Sequence, residues 1–577
     1  MNSFCLRLLY KLKKYATMNK RILFVLFLIE LIFPGTLKSN HRQQNTVDSI
    51  ISFWNDSIPK LLNSQNVPGM ALAVVSDSEV IWEQGYGFTD TLSKIPVTSA
   101  TLFSLQSISK NFTAMAVLVA VQEGLLNLDT PISLYLNDFT VNSRYESNPE
   151  NIITLRHLLS HRAGFTHEAP IGNNYYPEGS FDEHIKSISD TWLRFPIYQR
   201  FSYSNLGVDL AGYIIEKVFG IPFHKYVEEK VLKSIGMNAS TFNIERIKGN
   251  KEKALGHRKK IAVPIEIPMI PSGGLYSNAN ELAKWVQFHL NNGRINNKQL
   301  INKMLLDEMY KIPDRDPKQI QGYGLGTAVK YENGEIVLSH GGNGFGFNAY
   351  MMWHPKYKLG VVMLTNSVDH NFQQSLPEDI LNSFIKLKTG EAKKDNSLLK
   401  NGDEQVIYKD TLSLKKLAGT YLYNSGGRMI LVYKNEQLGV ESGEKFIPFY
   451  FVSNKEAFNQ LGRYCFYYYF VTDKDGIPIN IIRLYDGEHL DFVEGLSEKS
   501  GPDKKEWDKY IGKYSYSIMG KPISMPIEII KKNGYLYFGD YIKLTEYKTG
   551  LFFSSNGELF DFTGEFLIWR NIKLIKE

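Results

Sequence analysis

Ser107 and Lys110 stand three positions apart, immediately before a long apolar run at 112–121. A serine hydroxyl becomes a useful nucleophile only when a nearby base takes its proton. Residues three apart on a helix share one face, so the amine of Lys110 can lie beside the hydroxyl of Ser107. If Ser107 begins that helix, its backbone N–H and the helix dipole favour an oxyanion there. The pair predicts acyl-transfer chemistry through a serine nucleophile.

The Ser-x-x-Lys spacing is weak evidence by itself, because it recurs elsewhere in the chain. Further copies begin at Ser57, Ser397, Ser413 and Ser442. An ordinary solvated helix or loop explains each of them. Only Ser107 has both a long apolar helix behind it and a strand-to-helix approach in front of it, so we select it as the candidate nucleophile.

Tyr203 and Asn205 form a second candidate pair, in the triplet Tyr203-Ser-Asn205. A phenol beside a lysine ammonium can lose its proton and serve as a base, and the nearby amide can orient an amide of the substrate. The triplet recurs at Tyr276-Ser-Asn278. Tyr203 precedes an apolar helical segment that would fix its loop, whereas Tyr276 follows a glycine-rich turn, so we prefer the first copy.

His340-Gly341-Gly342-Asn343 is the third element, and it follows the strand-like run 336–338. Glycines on a strand let a substrate backbone approach closely and pair with the edge. The N–H of Asn343 would then be a second oxyanion donor. Taken alone, the segment is better explained as a plain β-turn with a surface histidine.

In this order, Ser-x-x-Lys, Tyr-x-Asn and His-x-Gly resemble the serine β-lactamase and penicillin-binding-protein superfamily. The fit is closest to the branch that holds class C β-lactamases, D,D-carboxypeptidases, D-aminopeptidases and related esterases. Further similarities are Val67-Pro-Gly-Met-Ala, the segment 153–165 and Pro271-Ser-Gly-Gly-Leu. The resemblance covers about 50–385.

The resemblance implies a role for each matched position. Ser107 attacks the substrate carbonyl, and Lys110 and Tyr203 share the proton transfer. Asn205 binds the substrate amide. The N–H groups of Ser107 and Asn343 form the oxyanion hole. Further substrate contacts fall on three consecutive residues, His340, Gly341 and Gly342.

His340 stands where relatives commonly carry a lysine. A lysine is cationic and suits a substrate carboxylate, whereas a histidine near its ordinary pKa is mostly neutral at pH 7. This departure argues against hydrolysis of β-lactams and favours esters, amides or D-amino-acid peptides.

His157 and His161 offer a rival reading, because two histidines four apart on a helix can bind zinc. The residues between them lack the glutamate that a metalloprotease needs, and the resemblance explains the segment structurally. We expect neither a metal nor a cofactor.

The remaining patterns predict an α+β fold in which an antiparallel sheet is flanked by helices and joined by a helical subdomain. Helical patterns cover 50–66, 158–159, 210–218 and 282–290, and strand patterns cover 70–75, 79–82, 336–338, 349–353 and 359–364.

A polar, turn-rich linker over 389–408 separates the domain at 41–388 from the region at 409–577. Short aromatic and β-branched runs between turns make the last region all-β, and it resembles the lipocalin-like barrel appended to some relatives. A weak repeat, Leu417-Ala-Gly-Thr-Tyr421 and Tyr510-Ile-Gly-Lys-Tyr514, falls in it. We read no chemistry in this barrel and assign its aromatic residues to the barrel core; the alternatives are a cap over the active site or a sleeve for a ligand.

The net charge of +6 equals the number of basic residues before position 22, so it belongs to the leader at 1–40 and not to a nucleic-acid-binding surface. Met18-Asn-Lys-Arg followed by the apolar run 22–33 is typical of a secretory signal. We expect a secreted or periplasmic bacterial protein. An uncleaved N-terminal membrane anchor is the alternative, and the oligomeric state is not indicated.

Three functional hypotheses follow. The first is a serine hydrolase that forms an acyl-enzyme with a small-molecule or peptide substrate. The second is an acyltransferase that passes the acyl group to an alcohol or amine; the residues do not separate these two, because access of water to the acyl-enzyme decides between them. The third, a non-catalytic sensor on the same fold, is disfavoured by the intact motif set.

Overall fold

The computed structural model describes residues 34–577 except 260, 264–266, 296–297, 391–405, 408, 443–444, 462–463, 496–500, 519–520 and 523–525. Most of the predicted leader and most of the predicted linker therefore lie outside the described residues. No helix within the described ranges is long and apolar enough to cross a membrane.

A seven-stranded antiparallel sheet forms the centre of the N-terminal part, which we call the sheet domain. Its strands are β1 (Gly69–Ser76), β2 (Val80–Gly87), β3 (Gln321–Tyr323), β4 (Ala328–Glu332), β5 (Glu335–Gly344), β6 (Phe347–His354) and β7 (Leu359–Thr365). Their spatial order is β2-β1-β7-β6-β5-β4-β3. The chain crosses the whole helical region between β2 and β3, so β1 pairs with the late strand β7.

Helices cover both faces of this sheet, and β1 shows why. Successive side chains of a strand point to opposite faces, so Leu72 and Val74 join one apolar core while Ala71 and Ala73 join the other. A strand buried on both faces reads as a continuous apolar run, as β1 does.

The sheet-domain helices are α1 (Pro34–Ser64), α2 (Ser109–Gln122), α3 (Leu155–Leu159), α4 (Phe181–Ile188), α5 (Asn205–Phe219), α6 (Phe223–Val227), α7 (Lys233–Ile235), α8 (Ile244–Ile247), α9 (Ile270–Gly273), α10 (Ala279–Leu290), α11 (Lys303–Glu308) and α12 (Ser375–Thr389). Helices α1 and α12 pack on one face of the sheet, and α2, α5 and α10 contribute to the core on the other. The predicted α+β class is confirmed. The helix expected over 50–66 is longer than its pattern, because α1 begins at Pro34.

A short helix, α13 (Thr411–Leu417), leads into a closed eight-stranded barrel. This first barrel consists of β8 (Gly419–Tyr423), β9 (Arg428–Lys434), β10 (Gln437–Ser442), β11 (Lys445–Phe451), β12 (Glu456–Leu461), β13 (Tyr464–Thr472), β14 (Pro478–Arg483) and β15 (Glu488–Gly495). Every neighbouring pair is antiparallel.

A second closed eight-stranded barrel follows. It consists of β16 (Gly512–Ser515), β17 (Ile527–Lys532), β18 (Tyr535–Phe538), β19 (Ile542–Lys548), β20 (Leu551–Ser554), β21 (Leu559–Asp561), β22 (Leu567–Trp569) and β23 (Ile572–Lys576). The predicted all-β, lipocalin-like class of this region is confirmed, and the region holds two barrels rather than one.

The weak sequence repeat marks the opening of each barrel. The hydroxyl of Tyr421 donates to the carbonyl of Leu417 at 2.7 Å, and the hydroxyl of Tyr514 donates to the carbonyl of Tyr510 at 2.7 Å. Both tyrosines lie on the first strand of their barrel and are buried. The repeat therefore corresponds to the same hydrogen bond, from a tyrosine hydroxyl to the carbonyl four residues earlier, at the start of each barrel.

Candidate active site

Ser107 lies in a single 3-10 turn, Gln106–Ile108, that runs directly into α2. The ammonium of Lys110, one turn along, donates to Ser107 Oγ at 3.0 Å. Gln106 has a φ of +50°, which is unusual for a residue other than glycine. Its side-chain amide donates to Ser104 Oγ at 2.7 Å, which holds the turn in this conformation.

Lys110 is fully buried, so its ammonium depends on protein partners in place of water. Besides Ser107, it donates to the carbonyl of Ser272 at 3.0 Å. It also lies 4.9 Å from the centroid of the Tyr203 ring, within the range of a cation–π contact. The lysine is therefore fixed between the nucleophile, the α9 carbonyl and the phenol.

A buried ion pair between His184 and Asp209 holds Ser272, whose carbonyl accepts from Lys110. Asp209 accepts hydrogen bonds from the backbone N–H of Ser272 at 2.8 Å and from its hydroxyl at 2.9 Å. His184 Nε2 lies 3.1 Å from the same carboxylate. Burial opposes protonation of His184, but the hydrogen bond and charge of Asp209 outweigh it and raise the pKa of the imidazole. The pair orients the Ser272 carbonyl that holds Lys110.

The Tyr203 loop is fixed by its neighbours in sequence. Ser202 Oγ donates to the carbonyl of Phe165 at 2.8 Å, and Ser204 Oγ donates to the carbonyl of Thr166 at 2.6 Å. The backbone N–H of Ser204 donates to His161 Nδ1 at 3.2 Å. Two hydroxyls and one amide thus hold the backbone on both sides of the phenol.

His161 packs against Tyr203, with 4.3 Å between the ring centroids. Burial, together with the positive charge of Lys110, lowers the pKa of His161 well below its ordinary value. The ring is therefore a neutral acceptor in this site. Asn205, two residues after Tyr203, begins α5, and its side-chain amide donates to Met269 Sδ at 3.6 Å.

His340 lies on β5 with both ring nitrogens engaged. Its Nδ1 is 2.7 Å from the carbonyl of Gly341, which can only accept, so Nδ1 carries the hydrogen. Nε2 therefore accepts from the hydroxyl of Tyr323, 2.6 Å away. Burial, and secondarily the charge of Lys110, lowers the pKa of His340 to about 3. The imidazole is neutral at pH 7.

Gly342 is required by packing of the protein against itself. A Cβ at this position would lie 2.0 Å from the carbonyl oxygen of Leu105, beside the nucleophile turn. From the sequence, the glycines of this motif are expected to let a substrate approach closely. At Gly342 the structure shows another reason for glycine, because β5 packs directly on the turn that carries Ser107.

These elements enclose a cavity of about 440 Å³. Seven of the eight predicted site residues line it: Ser107, Tyr203, Asn205, His340, Gly341, Gly342 and Asn343. Lys110, the eighth, lies beneath the floor and reaches the cavity through Ser107 Oγ. The structure brings the predicted set together, and the catalytic roles assigned to its members, including the oxyanion hole, stay predictions.

Other candidates from the sequence lie elsewhere or act structurally. Helix α3 ends at Leu159, so His157 and His161 do not share a helix face. His157 Nδ1 instead accepts the backbone N–H of Thr154 as part of a helix cap. Among the described residues no group of three or more metal-binding side chains is assembled.

Sequence reasoning overlooked three residues at the site, namely His167, Ser272 and Tyr323, and it considered His161 only as a zinc ligand. Ser272 lies in the quoted segment Pro271-Ser-Gly-Gly-Leu, which signalled a turn but not a ligand for Lys110. Tyr323 lies on the edge strand β3 and gives no local signal, since only the sheet order brings it to His340. His167 lines the cavity and stacks on Tyr203, with 5.8 Å between ring centroids.

Comparisons with known proteins identify relatives of the sheet domain. The Beta-lactamase family model matches residues 54–381. Protein flp of Staphylococcus aureus (strain MW2) is 26% identical over 316 residues, which cover 53% of this chain and 61% of that protein. Beta-lactamase-like protein 2 of Dictyostelium discoideum is 28% identical over 294 residues, 48% of this chain and 53% of that protein. The chain thus matches less than two thirds of the length of either relative.

Solved structures share the fold. The octameric penicillin-binding protein homologue from Pyrococcus abyssi superposes with a TM-score of 0.51 at 23% identity, covering 76% of this chain and 99% of that one. SurE superposes with a TM-score of 0.55 at 20% identity, covering 78% of this chain and 99% of that one. The family match ends before either barrel begins.

Proposed function

Because this chain belongs to the Beta-lactamase family, we propose that it is a serine hydrolase that forms an acyl-enzyme on Ser107. The observation that carries the proposal is the 3.0 Å contact between Lys110 Nζ and Ser107 Oγ at the edge of a cavity. A nucleophile within hydrogen-bond reach of a base that is itself held by a third group is the signature of covalent catalysis.

In the proposed acylation, the Lys110–Tyr203 pair has lost one proton, either as neutral Lys110 or as the phenolate of Tyr203. Ser107 Oγ attacks the substrate carbonyl while its proton passes to this pair. The N–H groups of Ser107 and Asn343 stabilise the oxyanion. The pair then returns the proton to the leaving group. Water attacks the acyl-enzyme in the second half of the reaction, with the same pair as base, and releases Ser107.

The neutral state of His340 guides the choice of substrate. A lysine in this place would hold a permanent charge for a substrate carboxylate, whereas His340 offers none at pH 7. We therefore propose esters, amides or D-amino-acid peptides, in preference to β-lactams, as substrates.

Turnover of a small neutral p-nitrophenyl ester tests the proposal. Ser107→Ala should lower kcat/KM by about 10³-fold or more. Ser57→Ala is the matched control, because Ser57 has the same Ser-x-x-Lys spacing but its hydroxyl donates to the carbonyl of Phe53 on an exposed helix face; it should behave as wild type. Full turnover in Ser107→Ala would refute the assignment.

We also propose that the chain is exported, on the strength of the basic and apolar leader. Fractionation of the native host followed by N-terminal sequencing tests this. Protein found outside the inner membrane, or held on its outer side by an intact leader, supports export, and full-length protein in the cytosol contradicts it.

A further inference from the structure

A second cavity, of about 730 Å³, adjoins the catalytic one. The two share Tyr203, Tyr323, His167, Ala328 and Gly341 among their lining residues. The rings of the site described above therefore border both compartments.

Both barrels contribute to the second cavity. The first barrel supplies the β8–β9 turn at Asn424 and the β14–β15 turn at Asp486, and the second barrel supplies Glu558 and Arg570. These residues lie outside the segment that matches the family model. This compartment is thus built by parts of the chain to which the family match assigns nothing.

Buried polar contacts fix the barrels in this position. Arg194 of the sheet domain donates to the carbonyls of Asn424 and Asn556, at 3.0 and 2.9 Å, and its Nε lies 3.1 Å from the Glu558 carboxylate. The side chains of Arg194 and Glu558 are 7% and 3% exposed. Since buried, hydrogen-bonded ion pairs are costly to break, the compartment is preorganised.

The floor of this compartment is partly apolar. Val337 and Met352, whose side chains lie on the same face of the sheet, line it from the adjacent strands β5 and β6. An aliphatic part of a ligand can bury its surface against these side chains at about 25 cal/mol per Å².

The cations of the cavity differ in how they are neutralised. Arg194 and Arg570 share Glu558, and Lys330 pairs with Glu332 at 2.8 Å. Arg162 is different, because its side chain donates to the main-chain carbonyls of Tyr198 and Pro313, at 3.2 and 3.1 Å. Carbonyls fix a guanidinium without neutralising it.

No carboxylate of the described residues lies within ion-pair distance of Arg162. The charge of Asp314 reaches it only from a distance, since that carboxylate bonds the hydroxyl of Tyr198. The field of Arg162 extends toward the first barrel, where burial, Arg200 and Arg162 together lower the pKa of His489 to about 3. A planar guanidinium on the wall of a cavity is suited to bind a carboxylate.

We infer that the second cavity binds the part of the substrate remote from the scissile bond, and that this part is an aliphatic chain ending in a carboxylate held by Arg162. The inference deepens the proposed function and rests on it for the identity of the ligand as substrate. It also explains how an acidic substrate is recognised when His340 is neutral: the charge contact lies in the adjoining compartment.

Calorimetric titration with octanoate and octanamide tests this inference. The two probes share an alkyl chain and differ in charge. The wild-type protein should bind octanoate about tenfold more tightly than octanamide, the size expected of one charge-assisted contact. Arg162→Gln should bind the two probes equally, and Arg162→Lys should keep part of the preference because it keeps the charge.

Arg246→Gln is the matched control, because this arginine bonds Glu228 and lies outside the cavity; it should retain the wild-type preference. Equal binding of both probes by the wild-type protein, or a full preference in Arg162→Gln, would overturn the inference. Calorimetry needs no turnover, so failure of this test leaves the Ser107 assignment standing. Conversely, if the protein has no esterase activity but still binds octanoate more tightly than octanamide through Arg162, only the proposed function is contradicted.

Discussion

Two segments of this chain read Tyr-Ser-Asn, and they serve different purposes. Tyr203 lies on the wall of the catalytic cavity beside the Lys110 ammonium, and Asn205 reaches the same cavity. Tyr276 belongs to a two-stranded pairing with 103–104, and Asn278 caps α10 by accepting the N–H of Glu281 at 2.8 Å. We propose a catalytic role for the first triplet, whereas the second has a structural role, and the neighbouring residues distinguish the two.

The electrostatic settings of the two segments explain the difference. The Tyr203 ring has a buried cation within 5 Å. For Tyr276, burial is the dominant influence and raises the pKa of the phenol. A phenol without a cationic neighbour keeps its proton and serves only for packing and hydrogen bonding.

The sharpest test of this contrast exchanges each tyrosine for phenylalanine. Tyr203→Phe removes a group proposed to carry the proton, and general acid–base catalysis is worth about 10²–10⁴-fold. We expect kcat/KM for a p-nitrophenyl ester to fall by that factor. Tyr276→Phe should leave kcat/KM within about twofold and cost about 1 kcal/mol of stability through one lost hydrogen bond. Equal losses of kcat/KM in both variants would contradict the different roles given to Tyr203 and Tyr276.

A second test extends the comparison to the histidine of the third motif. The folded-state pKa of His340 is about 3, below the ordinary 6.5. Between these values the unfolded chain binds a proton that the folded chain does not, so this residue makes the protein less stable as the pH falls from 6.5 toward 3. The slope per such group is about 1.4 kcal/mol per pH unit.

Urea unfolding at several pH values from 6.5 to 4 measures this slope. His340→Asn should show a pH dependence that is shallower by about one proton, whatever its stability at pH 7. An unchanged slope would mean that His340 protonates normally in the folded state, and the argument that His340 offers no charge to a substrate carboxylate would fail.

The smallest predicted effect concerns the architectural asparagine. Asn278→Ala removes the cap of α10 and should lower the free energy of unfolding by about 1 kcal/mol, with kcat and KM unchanged. Asn205→Ala should instead raise KM or lower kcat, because that amide faces the cavity. A lower kcat or a higher KM in Asn278→Ala would contradict the purely structural role given to the second triplet.

The predicted site residues come together in the structure because their signals are local. Ser107 and Lys110 are set by helix geometry, and Tyr203 and His340 each adjoin a regular element that fixes them. Tyr323 and Ser272 could not be found this way, since their contacts depend on the order of strands and on α9 folding back over α2. The spacing of His157 and His161 suggested a shared helix face, but helix α3 ends at Leu159, before His161.

The barrels likewise depend on contacts between distant parts of the chain, which local sequence patterns do not reveal. Alternating aromatic runs predicted all-β structure, and the repeat at Tyr421 and Tyr514 marked both starting points. Closure into two barrels depends on pairings between strands distant in sequence, such as β8 with β15. The second cavity depends on docking of three units through residues such as Arg194, and no local pattern encodes that.

Mapping of a covalent adduct tests the central claim most directly. The intact protein is treated with a fluorophosphonate or an activated ester, digested and examined by mass spectrometry. The account predicts a single modified site on the peptide that carries Ser107, with none on the peptides of Ser57 or Ser413, and no adduct in Ser107→Ala. An adduct on another serine, or labelling that survives Ser107→Ala, would contradict it.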